Sequence, residues 1–308
     1  MFQMNFYKIH NLFIIILLVF FGSCKKGFYR TQNPANIATV NNNVCKKLTD
    51  KVVLYAIFVD SRTARPWSKY DITSTLDSIK KAMNWIEVQA RENNIQLEIY
   101  QEHHQNGERI TIERNLPEET LSESLFSPNI MEGMENLDFW ADAIARKAGE
   151  SFSPDTLNNY SVRNKMTDRE RLIARLRDIH KTDNVVIMYF LNSYYQNDIS
   201  LALHTSSSKQ TEYSIVTFKN PSVIAHEFLH IFGALDLYMS PFDRKKKALR
   251  SKYEIMKLYP NEIMAFAHRP IEKLSISNFT KYLVGWVPEL DENSKNAFFG
   301  KKLKVVKY

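Results

Sequence analysis

The residues best placed to do chemistry are His226, Glu227 and His230, in the run Ser222–Phe232, SVIAHEFLHIF. In a helix that turns about 100° per residue, positions four apart lie about 40° apart around the axis, so both imidazoles leave one side. Two neutral imidazoles one turn apart can each reach a single Zn²⁺ at about 2.0–2.1 Å. Glu227 projects beside them, near enough to take a proton from water at such an ion and turned too far to ligate easily. The His-Glu-x-x-His spacing is therefore that of metal-assisted hydrolysis. The ion makes water acidic and polarises a carbonyl, and the carboxylate serves as general base.

A catalytic zinc wants three protein ligands and one open position. After the helix the chain reads Gly233-Ala234-Leu235-Asp236. Gly233 lets the chain turn sharply out of the helix, because glycine takes the left-handed conformation cheaply. Asp236, three residues on, can then swing back to the ion as an oxygen ligand.

The full run, HExxHxxGxxD, resembles the metzincin clan of zinc peptidases. It is similar in particular to members such as the snapalysin-like enzymes, in which aspartate replaces the usual third histidine. The resemblance implies His226, His230 and Asp236 as ligands of one catalytic Zn²⁺, Glu227 as base, and a peptide or protein substrate. It also implies a methionine in a tight turn beneath the metal. Met264, in Asn261–Phe266 (NEIMAF), is the expected residue, with Met256 as its competitor. Many metzincins carry a tyrosine two residues beyond that methionine, where this chain has Phe266. Tyr238, just after the third ligand, is the substitute we expect to support the oxyanion; otherwise that task falls to the zinc. The fold implied is an α+β, metzincin-like (zincin) catalytic domain. It has a twisted mixed sheet, a long backing helix, the active-site helix, the methionine turn and a C-terminal helix at Ser275–Trp286. By the same analogy Ile199–His204 is an edge strand on which an extended peptide docks.

The elements that must position these residues are legible in the periodicity. Asn220 is a favoured N-cap and Pro221 suits the first helical position. Ile224, Phe228 and Ile231 fall opposite the histidines, so the ligand edge is expected to face a cleft and the apolar back a core. Val52–Val59 and Asn184–Leu191 are apolar runs of buried-strand length. Ile95–Tyr100 alternates, and Arg109–Glu113 and Tyr213–Phe218 are shorter strand candidates. Ile72–Arg91, Asn136–Lys147 and Asp168–His180 show helical spacing. His103 and His104 end a strand, while His180, His204 and His268 are isolated; all five read as surface or satisfied core.

The N-terminus has a different character. Lys8 and His10 lead into Leu12–Phe21, LFIIILLVFF, an apolar stretch too short for a membrane span of about 20 residues and suited to an export signal. Gly22-Ser23 before Cys24 resembles the lipobox of bacterial lipoproteins, with Phe21 where leucine is usual. That implies a lipid anchor on Cys24 and a chain exported to the cell envelope; a plain secretory signal is the alternative. The division expected is 1–23 signal peptide, 24–47 flexible tether and 48–308 zinc metallopeptidase domain.

Composition limits the remaining classes. The net charge of +7 in 308 residues becomes +6 without Lys8 and the rest of the signal. No aromatic platform accompanies Lys245–Lys247 or Lys301–Lys302, so no nucleic-acid partner is expected. Two cysteines, Cys24 and Cys45, make neither a zinc ribbon nor a disulfide framework. The alternative function is a non-catalytic zinc-binding lipoprotein with a structural or partner-binding role, favoured by Phe266 and by the lack of a recognisable propeptide.

Overall fold

The computed structural model describes residues 47–61, 64–104, 108–111, 130–150, 167–192, 200–203, 211–238 and 246–299. The export signal, Cys24, most of the tether, Cys45 and His204 lie outside the described residues.

Strand β1 (Asp50–Asp60) is buried from Val52 to Val59, and β4 (Asn184–Leu191) from Val185 to its end. Strands with no polar face must be covered on both sides. They pair in parallel, from Val52 with Asn184 to Val59 with Leu191. On the other side of β1 lie β2 (Leu97–His103) and, further along, β3 (Arg109–Thr111), both parallel to it. Strand β6 (Tyr213–Val216) is parallel to β4, and β5 (Leu201–Leu203) runs antiparallel to β6 at the edge. The sheet order is β2-β1-β4-β6-β5. The described chain is thus mixed α/β, and its sheet is mixed as expected.

The backing helix is α1 (Lys69–Glu92), opened by a reciprocal capping box between Ser68 and Asp71. Thr75, Ile79, Ala82, Met83, Ile86 and Ala90 form its buried stripe, and it packs against the histidine-bearing helix α4 (Pro221–Ile231). Val88, expected on that stripe, is instead exposed. Helices α2 (Ile130–Glu150) and α3 (Asp168–His180) pack on each other. The Tyr189 hydroxyl of β4 donates to Ala141 O of α2 at 3.1 Å, and its ring meets Trp140 and Tyr213 edge-on at 5.7 Å each. Helix α5 (Lys246–Leu258), which the apolar spacing had not suggested, packs with α8 (Glu292–Phe299). Between them come the one-turn α6 (Ile263–Phe266) and α7 (Asn278–Leu283), the latter shorter than the helix expected over Ser275–Trp286. No helix among the described residues is long and apolar enough to cross a membrane.

One buried charge joins three elements. Arg169 of α3, 3% exposed, reaches Asp138 and Asp142 of α2 at 2.8 Å each and lies 4.6 Å from the centre of the Tyr213 ring of β6. Removing one partner of such a group strands the opposing charges. Arg169→Met is therefore expected to lower unfolding free energy by about 3 kcal/mol, measured from the urea midpoint; no shift would show that these carboxylates are satisfied by solvent.

Candidate metal centre

The site begins with how α4 starts and stops. Asn220 caps it, its side chain accepting the Ser222 N–H at 3.0 Å, and Pro221 occupies the first turn. The Ser222 hydroxyl donates to Arg269 O at 2.6 Å, fixing that end to the segment after α6. At the other end Phe232 is the C-cap and Gly233 has φ 97°. The Gly233 N–H donates to His230 O at 2.8 Å and the Ala234 N–H to Leu229 O at 3.2 Å. This pair of bonds is a Schellman turn, which a left-handed residue after the cap permits. It satisfies the last carbonyls and reverses the chain, so that residues 234–236 return past the helix end.

That return brings the predicted ligands together. His230 Nδ1 lies 2.7 Å from Ala234 O, and His226 Nδ1 lies 3.3 Å from Ile263 O in α6. A carbonyl only accepts, so each Nδ1 carries a proton and each Nε2 is the atom left for a metal ion or a second proton. The two Nε2 atoms are 3.0 Å apart. Asp236 Oδ1 lies 3.1 Å from that of His230 and 3.2 Å from that of His226. Ligands at about 2.0–2.1 Å from a tetrahedral zinc are separated by about 3.3–3.4 Å. The triangle is slightly tighter than that, and its donor set of two imidazoles and one carboxylate suits zinc. The fit is good. Among the described residues this is the one group of three such side chains that could hold a metal ion.

Glu227 sits within the same buried turn, 4% exposed. Its Oε2 has no hydrogen-bond partner, an expensive state for a buried carboxylate oxygen and one that water at the site would relieve. Burial pushes the Glu227 carboxyl above its ordinary range, although His226 and His230 pull it back and Asp236 adds to the rise. Burial works against charge on His230 too, but the Asp236 carboxylate outweighs it and lifts the imidazole to about 9. Asp236 is held well below the usual carboxylate range: burial opposes this, and His230 and His226 overcome it. The three converging atoms thus demand a positive charge among them, whether a proton or a metal ion.

The ligand edge of α4 does not stand open to solvent as the helix pattern implied. Nearly all of α4 is buried, its ligand side included: His226 and His230 are only 5% and 9% exposed. Exposure is concentrated at Asp236, whose side chain is 34% exposed, because the returning segment, not the helix, forms the outer wall. Tyr238 stands on this side, its ring 6.2 Å from that of His226. Met264 is fully buried in α6, and its carbonyl accepts the Leu237 N–H at 3.0 Å. The segment Ile263–Phe266, where a methionine turn was expected, is a single helical turn hydrogen-bonded to Leu237. Met256 lies partly buried on α5. His104 is buried against the Tyr55 hydroxyl, His180 pairs with Glu102, and His268 meets the Phe266 ring; none joins the centre.

One buried acid near the centre is not legible in the sequence. Glu262, fully buried, accepts from Met264 N, Ser277 N and Thr280 Oγ1. A glutamate beside an apolar tetrapeptide reads as a helix-start solubiliser, and its partners lie up to 18 residues away. Comparison with known protein families gives no match for this chain, and comparison with curated proteins gives none either.

Because His230 is protonated below about 9, zinc has to displace that proton. Binding at about pH 7.5 is expected to release about one proton per ion, with apparent affinity rising about tenfold per pH unit below that point. Calorimetry in buffers of different ionisation enthalpy measures the release; zero protons would show that no proton on His230 holds the metal-free site together.

Proposed function

We propose that this chain is a zinc-dependent endopeptidase of the metzincin type, exported and held to the cell envelope by lipid on Cys24. The observation that carries the reading is the triangle of His226, His230 and Asp236 with the unpartnered Glu227 oxygen on the same helix turn. Bound there, zinc supplies Lewis acidity, which lowers the pKa of water and polarises a peptide carbonyl. Glu227 takes the proton of the attacking water, and its raised pKa brings it closer to a general base's working range near neutrality. The same carboxyl, once protonated, delivers that proton to the departing amine. The backbone carbonyls of Ala234 and Ile263 hold both imidazoles in the tautomer that leaves Nε2 free for the metal. Strand β5, the sheet's edge among the described residues and next to α4, is where an extended peptide would pair. Tyr238, beside His226, is the side chain we assign to the developing oxyanion.

A second reading, a zinc-binding lipoprotein without catalysis, draws on Phe266. That position supplies no hydroxyl, and the Arg269 guanidinium covers its ring at 3.8 Å.

One variant separates them. Glu227→Gln is expected to keep one zinc per chain while hydrolysis of a peptide library falls by about 10²-fold or more. Chelation abolishes wild-type turnover and zinc restores it. Full activity in E227Q sinks the mechanism; a zinc-loaded wild type that cleaves nothing favours the second reading.

A further inference from the structure

Glu262 is the buried acid that the chemistry above does not use. Its side chain is wholly enclosed, and all its partners are donors. Oε1 accepts the Met264 N–H at 3.0 Å and the Thr280 hydroxyl at 3.1 Å; Oε2 accepts the Ser277 N–H at 2.5 Å. Its own carbonyl accepts the Ala265 and Phe266 N–H groups at 3.1 and 3.0 Å, which closes α6. One carboxylate therefore fixes the path of residues 262–264 against the start of α7.

That path matters for what its carbonyls touch. Ile263 O faces His226 Nδ1 at 3.3 Å, and Met264 O accepts from Leu237, the residue after Asp236. From one short segment, one contact reaches the ligand His226 and the other the residue next to the ligand Asp236. A ligand imidazole is oriented by the acceptor on its other nitrogen, and loss of such an acceptor typically weakens metal binding by about 10- to 100-fold.

We infer that Glu262 is a positioning residue of the metal centre: by clamping the 262–264 backbone it aims His226 and seats the segment that carries Asp236. This rests on reading His226, His230 and Asp236 as a metal site. An amide in its place cannot satisfy the same set, because its NH₂ would confront at least one of the three donors.

The test is zinc affinity by chelator competition, together with the ligand-field spectrum of the Co²⁺-substituted chain. E262Q is expected to bind zinc about 10- to 100-fold more weakly, with shifted Co²⁺ bands. T280V, which removes one donor to Oε1, is expected to lose at least about threefold by the same route. Y189F, which removes a buried hydrogen bond distant from the centre, keeps wild-type affinity and bands; it controls for general loss of stability. Should E262Q not fold, T280V decides. Unchanged affinity and an unchanged spectrum in the folded variants overturn this proposal alone. A wild-type chain that takes up neither ion overturns the metal-centre reading, and this proposal with it.

Discussion

Three lone-pair atoms held within 3.2 Å of one another inside a protein repel unless a positive charge sits among them. The energetic demand for that charge is what the rest of the described chain is arranged around. Two of the atoms are fixed by helical geometry, since four residues bring the imidazoles to one side. The third comes from a segment that has left the helix and returned, which only a tight reversal at Gly233 allows. Both imidazoles are anchored by main-chain carbonyls, and the residue after Asp236 is tied to Met264 O. The helix supplies the alignment, and the turn supplies the closure.

Rigidity at this spot has to be built from further away. Helix α4 is enclosed on nearly all sides, by α1, by β5 and β6 and by α6. Its neighbours rest on a sheet whose central strands have no solvent face. An apolar helix with two histidines and a glutamate would gain little by being buried so completely unless those polar groups found partners. The histidines do, through Ala234 and Ile263. Glu227 is the exception, and the one polar group of the helix left with an unsatisfied oxygen is the one assigned to the reacting water.

How much of this could be read from the chain alone follows from the range of the interactions. Helix α3 and strand β4 match their expected limits, because their apolar periodicity is local and unbroken. The start, stop and ligand face of α4 were equally local, encoded by Asn220, Pro221, Gly233 and the four-residue histidine spacing. Asp236 could be placed because a single turn separates it from the helix. The misses have another origin. Val88 and Ile179 follow the helical period yet emerge exposed, since a stripe's width depends on what covers it. Helix α5 has helical spacing too, at Leu249, Tyr253 and Met256, but its basic first half masks the pattern. Glu262 could not have been found at all, as its role depends on Ser277 and Thr280 folding back over it. The burial of the ligand edge likewise depends on the returning segment and not on α4.

The acceptors that orient the two imidazoles are both main-chain carbonyls, at positions 234 and 263. Every amino acid brings such a carbonyl, so what orients the rings is the chain path at those two positions, which the buried Ala234 and Ile263 side chains hold by packing. Selection for a working site would act on residues that shape the chain path, such as the glycine at the reversal. Residue identity captures the five motif positions and little else, whereas the backbone path captures the whole centre.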